Sequence, residues 1–286
     1  MGKRVNRPKG TVMAKGRTSV AEALREEVAD PDQVSTRAID LHANAHDASH
    51  FLLVPKVLVV AQDAAEVGRL FRASSRTGTP VTLRSGGTSL SGQGVSNSVL
   101  VDVRRNFRRI EVLDSGLRVR VQPGVTVRQV NARLARHGRK LGPDPASESA
   151  CTIGGVVANN SSGMVCGITS NTYQTLASMT LVLPSGTVVD TGAPDADGRL
   201  RHDEPALFEG LLRLRDRVRG NPGSGRILTH QFSMKNTMGY GLNSFLDYED
   251  PTELLAHLVI GSEGTLCFVA EAEFVKVNGA SGSLGG

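Results

Sequence analysis

The sequence predicts an α+β fold in two subdomains, a small parallel β–α–β unit followed by a larger mixed-sheet α/β unit. From residue 56, short β-branched runs alternate with a helix that has its own start and stop residues, which is typical of parallel strands joined by a crossover. From residue 109, strand-like runs follow one another across short turns, which is typical of hairpins. With 286 residues, 39% of them hydrophobic, the chain can bury a substantial core.

Residues 1–17 are predicted to be a disordered basic tail. Residues 1–20 hold six of the 33 Lys and Arg residues and no acidic residue, and the rest of the chain sets 27 basic against 28 acidic residues. The net charge of +5 therefore belongs to the tail, and the body lacks the basic helix or aromatic-rich basic sheet of a nucleic-acid-binding protein. Residues 18–50 are predicted to be an N-terminal helical segment, because Ser19 and Glu22 have the spacing of a capping box.

The first subdomain, about residues 51–113, has the order β–α–β–loop–β. KVLVVA is strand-like, and a helix capped by Asp63 and Glu66 then ends at Gly78. PVTL and SVLVDV are the next two strands. Between them lies LRSGGTSLSGQ (83–93), in which nine of eleven residues are Gly, Ser, Thr, Gln or Arg.

The second subdomain, about residues 114–277, begins as a strand pair, since RIEVL and LRVRVQP flank a turn at 114–116. After Val277 the chain reads NGASGSLGG, so residues 278–286 are predicted to be a flexible linker-like tail. The elements predicted between these points are a helix capped by Thr126 and Gln129, a hairpin turning at 184–186, helices beginning at Pro205 and Pro251, and a last strand in TLCFVAEAEFVKV.

The loop LRSGGTSLSGQ can approach phosphate closely, but it is neither of the two common nucleotide loops. A Walker A loop needs a lysine after its second glycine, and Gln93 stands there. A Rossmann loop leads into a helix, whereas NSVLVDV is strand-like. Two interpretations remain: a strand–loop–strand cradle whose N–H groups form an anion nest, and a plain surface loop.

A second unusual stretch, ESACTIGGVVANNSSGMVCGITSNTY (148–173), combines four glycines with small polar residues. Irregular segments of this length are usually functional or disordered, and the apolar residues within this one favour burial. We interpret it as a segment that wraps around an extended ligand, the alternative being an irregular loop. KNTMGYGL (235–242) and IGSEGTL (260–266) are weaker signals.

Metal, disulfide and membrane roles find little support in the sequence. His42, His46 and His50 are four residues apart, but Pro55 and the surrounding residues disfavour a continuous helix, and no carboxylate completes a usual ligand set. No metal is therefore expected. Three widely spaced cysteines do not suggest a disulfide framework and favour a reducing cytoplasm. No apolar run reaches the ~20 residues of a membrane span.

Taken in order, TLRSGGTSLSGQ, PDPAS, CTIGGVVANNSSG, KNTMGYGL and IGSEGTLCFVAEAEF resemble a known family. They look like the PCMH-type FAD-binding domain of the vanillyl-alcohol oxidase/p-cresol methylhydroxylase group. Within it they are most similar to the FAD-linked dehydrogenases of D-lactate, glycolate and D-2-hydroxyglutarate. The resemblance covers about residues 40–277 and implies that the FAD pyrophosphate lies on the glycine-rich loop between strands.

The resemblance implies FAD contacts in both glycine-rich segments and in IGSEGTL. It implies substrate-side catalytic roles for Lys235 and Tyr240 of KNTMGYGL. Because no histidine occurs between His50 and His137, the histidine that tethers the flavin in some relatives is missing from this loop, and FAD is expected to be non-covalent. The residues expected to bind FAD are Arg84, Ser85, Gly86, Gly87, Thr88, Ser89, Ser91, Gly92, Gln93, Pro145, Ser147, Thr152, Gly154, Gly155, Asn159, Ser161, Gly163, Gly167, Glu263 and Gly264.

The reaction implied by the resemblance is hydride transfer from a small 2-hydroxy acid to flavin N5, with an unknown electron acceptor. The family often has an arginine directly before the lysine, and Met234 stands there in this chain. In the family a cap domain follows the strand that ends near Val277, and some members continue into an iron–sulfur region. The chain is therefore expected to be the FAD half of a dehydrogenase, or alternatively an FAD-binding fragment that turns over only with a missing cap domain or partner chain.

Overall fold

The computed structural model describes residues 19–237, 239–275 and 278–279, so the predicted tail at 1–17 lies outside the described residues. The strands are β1 (Val34–Ser35), β2 (Val57–Val60), β3 (Val81–Arg84), β4 (Val99–Asp102), β5 (Ile110–Leu113), β6 (Arg118–Val121), β7 (Arg139–Lys140), β8 (Leu176–Val182), β9 (Val188–Asp190), β10 (Phe268–Phe274) and β11 (Asn278–Gly279). The α-helices are α1 (Val20–Arg25), α2 (Ala38–Ala43), α3 (Ala64–Thr77), α4 (Val127–Leu134), α5 (Ile153–Asn159), α6 (Thr172–Thr175), α7 (Ala196–Asp203), α8 (Pro205–Arg219), α9 (Pro222–Phe232), α10 (Ser244–Asp247) and α11 (Pro251–Val259).

The first sheet has the strand order β1–β2–β4–β3, and β2, β4 and β3 run parallel. Helix α3 connects β2 to β3. Its first turn is capped by the Asp63 carboxylate, which accepts the Glu66 N–H at 2.7 Å, and Gly78 ends it with φ +62°. Strand β1 adds to the edge of this sheet in the antiparallel sense. The predicted β–α–β–loop–β order is confirmed. The segment before residue 51 contains α1, which begins at the predicted capping box of Ser19 and Glu22, and α2, and its residues Val34–Ser35 join the first sheet.

The second sheet has the order β5–β6–β10–β8–β9, and every neighbouring pair is antiparallel. The predicted α+β fold with a smaller parallel and a larger sheet is confirmed, and the larger sheet is antiparallel where a mixed sheet was expected. Two short hairpins form β5–β6 and β8–β9. Strand β10 lies between the hairpins and pairs with β6 on one side and with β8 on the other. Strand β5 belongs to this sheet, so the change of sheet falls between residues 102 and 110 and not at the predicted boundary of 113.

The two sheets share apolar contacts. Phe107, which follows the first sheet, packs its ring edge-on against Phe268 of β10, with centroids 5.2 Å apart. Phe268, Ala270 and Val182 of the second sheet lie in the same buried cluster as Val59 and Leu70 of the first unit. The two units are therefore packed against each other through a shared apolar cluster.

Some elements differ from the sequence prediction. Helix α5, which lies within the second glycine-rich segment and includes VVA, was not predicted, and neither were α7 and α9. Asn278–Gly279, assigned to the linker-like tail, pair with β7. Among the described residues, no helix is both long and apolar enough to cross a membrane.

Candidate functional site

The glycine-rich loop begins at the carboxyl end of β3 and is anchored by Arg84. The Arg84 side chain is buried, and its guanidinium donates to Gly94 O at 2.7 Å and to His46 O at 2.9 Å. Burial and the nearby Arg104 lower the pKa of Arg84, which Asp47 and Asp102 oppose. Arg84 is one of the residues expected to bind FAD. In the structure its guanidinium links the start of the loop to the carbonyl of Gly94 at the loop's end and to the carbonyl of His46.

The centre of the loop offers unused hydrogen-bond donors. The backbone N–H groups of Gly87, Thr88 and Ser89 donate to no other residue in the part of the chain that the structure describes. Gly87 has φ +67°, a conformation that favours glycine and that turns successive N–H groups toward one side of the loop. All three residues are half-buried. Adjacent free N–H groups of this kind suit a phosphate or pyrophosphate.

The rest of the loop closes on itself. Ser89 Oγ contacts Gln93 Oε1 and accepts the Ser91 N–H at 3.1 Å. A side chain at Gly92 would meet the Phe51 ring at 2.6 Å, so this end of the loop lies against Phe51 at the start of the first subdomain. Ser91 and Gln93 thus shape the loop in the structure.

The second glycine-rich segment lies directly against the first. Thr152 Oγ1 accepts the Gly86 N–H at 2.9 Å and also contacts Ser85 Oγ. A Cβ at Gly86 would lie 2.8 Å from Ala150 O, so only glycine allows the two segments to approach this closely. Two segments that are 60 residues apart in sequence therefore form one continuous surface.

Helix α5 presents an open position on this surface. A Cβ at Gly154 would meet Pro123 Cβ at 2.6 Å, whereas a Cβ at Gly155 would have no protein atom within 4 Å. Gly155 is nevertheless half-buried. Before it, Pro145 O accepts the Glu148 N–H and Ser147 O accepts two further N–H groups, so these residues build the turn that leads to α5. The space beside Gly155 can take a flat ligand at van der Waals distance.

The end of α5 is joined to the IGSEGTL turn. Asn159 Nδ2 donates to Glu263 Oε1 at 2.5 Å and Asn159 Oδ1 accepts from Ser161 Oγ at 3.0 Å. The Glu263 N–H donates to Ala158 O at 2.8 Å, and Glu263 has φ +53°. A Cβ at Gly264 would contact nothing within 4 Å. The structure thus brings together the predicted residues of this turn and of the second glycine-rich segment.

Sequence reasoning missed one organising residue, Asp144. Its carboxylate accepts the N–H groups of Gly163, Val165 and Cys166 at 3.0–3.1 Å. Burial by itself would raise the pKa of Asp144, but the hydrogen bonds from Cys166, Val165 and Gly163 outweigh this effect. The net result is a lowered pKa. The carboxylate therefore orders the loop after α5. Its place between two prolines in PDPAS is the sequence signal that could have identified it.

The two predicted catalytic residues also contact this surface. Lys235 Nζ donates to Gly163 O at 2.9 Å, and Tyr240 Oη lies 2.9 Å from Thr265 Oγ1. Both side chains are exposed. Gly167 (φ +54°) lies on the neighbouring loop with no atom within 4 Å of a built Cβ. Within the described ranges, no three His, Cys, Asp or Glu side chains form a group that could hold a metal.

The residues present fit an extended dinucleotide. The free N–H groups of residues 87–89 suit a pyrophosphate, and the open side of α5 suits a flat ring system. The hydroxyls and amides between them supply further polar contacts. The free donors and the open glycine both indicate that this surface binds a ligand rather than forming a plain loop.

Comparison with known proteins identifies the same region. Residues 55–192 match a family described as "FAD binding domain". The chain is 26% identical over 257 residues to D-2-hydroxyglutarate dehydrogenase of Haemophilus influenzae, covering 84% of this chain and 24% of that protein. It is 29% identical over 239 residues to glycolate oxidase subunit GlcD of Escherichia coli, covering 80% and 48%. The chain thus spans between a quarter and a half of the length of these relatives.

Solved structures show the same fold. An alkyldihydroxyacetonephosphate synthase superposes with a TM-score of 0.58 at 19% identity, covering 95% of this chain and 42% of that one. The 6-hydroxy-D-nicotine oxidase of Arthrobacter nicotinovorans superposes with a TM-score of 0.55 at 16% identity, covering 85% and 41%. At these identities the likeness concerns the fold alone.

Proposed function

We propose, from the premise that this chain carries a PCMH-type FAD-binding domain, that it is the FAD-binding part of an oxidoreductase acting on small 2-hydroxy acids. The observation that carries the proposal is the set of unused N–H donors at Gly87, Thr88 and Ser89, held against Thr152 of the second glycine-rich segment. Relatives named for D-2-hydroxyglutarate, glycolate and D-lactate support the substrate class.

Each part of the surface has a proposed role toward FAD. The N–H groups of residues 87–89 would hold the pyrophosphate, and Gly155 would face the flavin and ribityl chain. Asn159, Ser161 and Glu263 would contact the flavin end. FAD, when bound, supplies the hydride acceptor, and the protein orients it. We propose that FAD is non-covalent, because no histidine occurs within the glycine-rich loop.

Lys235 and Tyr240 are proposed to face the substrate. Lys235 forms no ion pair with a described residue, so its charge is available for a substrate carboxylate. A base must also accept the hydroxyl proton within ~2.6–3.2 Å. Tyr240 already shares its hydroxyl with Thr265, and His230 is exposed on α9. We therefore propose that the base comes from outside this chain, in a cap domain or partner chain, and that turnover requires it.

The experiment that tests the proposal begins with the cofactor. The purified chain is reconstituted with FAD, FMN or NAD, desalted and denatured, and the released compound is identified by chromatography. Release of FAD supports the proposal, whereas FMN alone or no flavin overturns it. The FAD-loaded chain is then mixed anaerobically with D-lactate, glycolate and D-2-hydroxyglutarate. Slow or absent flavin bleaching supports the need for a further domain, and rapid bleaching places the base within this chain.

We also propose a cytoplasmic location, which is supported by three free and buried cysteines.

A further inference from the structure

A cleft that includes none of the residues proposed to bind FAD lies between the start of β5 and the exposed side of α4. Its lining consists of Arg108, Ile110, Gln129, Ala132 and Arg133, and its volume is about 300 Å³. Cavities that hold small ligands have volumes of about 300–1,000 Å³. The cleft is therefore large enough for a small molecule, and four of its five lining residues lie on β5 and α4.

The polar groups that line this cleft are free donors. Arg108 and Arg133 form no ion pair and no side-chain hydrogen bond with any residue that the structure describes. Gln129 Oε1 accepts the Thr126 N–H at 3.0 Å, so the remaining polar group of that side chain is its NH₂. No carboxylate lines the cleft. A ligand that enters it meets two positive charges and an amide donor.

Neighbouring arginines on the same sheet are neutralised. Arg109 pairs with Glu271 at 2.7 Å, and both Arg118 and Arg120 pair with Glu273 at 2.8 Å. Glu271 and Glu273 are thus engaged by other arginines, and no carboxylate among the described residues pairs with Arg108 or Arg133.

We propose that this cleft binds a small oxyanion that carries more than one negative charge. Planar guanidinium groups recognise carboxylate and phosphate oxygens with two parallel hydrogen bonds, and two of them at one cleft favour a multivalent anion. Ile110 and Ala132 also line the cleft and can contact a short carbon skeleton. The proposal does not depend on the function proposed for the FAD site.

Isothermal titration with citrate and with inorganic phosphate tests the proposal. The chain is first saturated with FAD, so that the glycine-rich loop is not available to the anion, and ionic strength is held constant. Arg108→Gln and Arg133→Gln should each weaken binding of the preferred probe about tenfold or more, because a hydrogen-bonded charge is lost. A stronger response to citrate assigns the site to polycarboxylates, and a stronger response to phosphate assigns it to phosphates.

Arg128→Gln is the matched control, because Arg128 is exposed on the same helix but does not line the cleft. It should change the affinity less than about twofold, since a charge outside contact distance is screened by salt. The proposal is overturned if the wild-type chain binds neither anion, or if Arg128→Gln weakens binding as much as Arg133→Gln. Melting curves without anion verify that all variants fold.

Discussion

Replacing Gly155 by alanine should stabilise the FAD-free protein and weaken FAD binding. Gly155 is the third residue of α5, and a Cβ built on it has no protein atom within 4 Å. Within a helix, alanine is more favourable than glycine by about 0.8–1 kcal/mol. For a chain of this size, that gain raises the melting temperature by about 2–4 °C. The opposite effect on FAD follows if the flavin occupies the space beside this residue.

The expected loss of FAD affinity is about tenfold to a hundredfold. A methyl group forced into a filled contact costs about 1–3 kcal/mol, and each 1.4 kcal/mol changes a dissociation constant tenfold. The measurements are melting curves without FAD and a fluorescence titration with FAD. A variant that is more stable yet binds FAD less tightly cannot owe the loss to misfolding.

Two further glycines provide controls. Gly225→Ala lies in α9, where a Cβ also meets nothing within 4 Å, so it should raise stability similarly and leave FAD affinity unchanged. Gly154→Ala would clash with Pro123 at 2.6 Å, so it should destabilise the FAD-free protein. If Gly155→Ala gains stability and binds FAD as tightly as the wild type, the flavin does not contact this side of α5 and the reasoning is refuted.

Three further predictions concern the loops and a buried histidine. Gly87→Val should lower FAD affinity by at least about tenfold. The φ of +67° disfavours a β-branched residue, and the new Cβ would lie 2.5 Å from the Arg84 guanidinium. An affinity equal to that of the wild type in a flavin titration would contradict this prediction. Asp144→Ala should destabilise the chain by about 1–3 kcal/mol in urea unfolding, because three N–H groups lose their acceptor. An unchanged urea midpoint would show that the loop after α5 is ordered without this carboxylate. Burial lowers the pKa of His257 below its usual 6.5, so the unfolded chain takes up this proton more readily than the folded one. The free energy of unfolding should therefore be highest above pH 6.5 and should decrease by up to about 1.4 kcal/mol per pH unit as the pH drops below 6.5. His257→Phe should flatten that slope in urea unfolding between pH 7.5 and 5, and an equal slope in both proteins would refute the assignment.

The first unit could be predicted from sequence because its signals are local. Asp63 and Gly78 mark the two ends of α3 through the hydrogen-bonding and φ preferences of single residues, and both act as expected. The β-branched runs around α3 then have the strand order of a parallel unit. The glycine-rich loop was placed correctly for the same reason, because it is bounded by two such runs.

The remaining features depend on contacts between distant residues. The guanidinium of Arg84 turns inward because the carbonyls of His46 and Gly94 lie within its reach, which no local pattern reveals. Helix α5 contains two adjacent glycines and has weak intrinsic propensity, yet its Ile153, Val156 and Val157 are buried in the larger core. Packing therefore overrides propensity at the place where the ligand surface is built.

These contacts between distant residues also explain why the surface formed by the two glycine-rich segments is suited to binding a ligand. A loop of small residues loses much conformational entropy when it is ordered, so something must hold it before a ligand arrives. Here two side chains do so: Arg84, which is buried, holds the first glycine-rich segment, and Asp144, which is half-buried, holds the loop that follows the second. The N–H groups of Thr88 and Ser89 and the space beside Gly155 have no partner among the described residues. Donors that are fixed but unused bind an anionic dinucleotide with little further ordering, which is the condition for tight non-covalent binding. The carboxylate of Asp144 is already engaged with the protein and is not proposed to contact FAD. If Asp144 orders the loop in advance of binding, Asp144→Ala should nevertheless weaken FAD binding, and by more than the loss of folding stability alone accounts for.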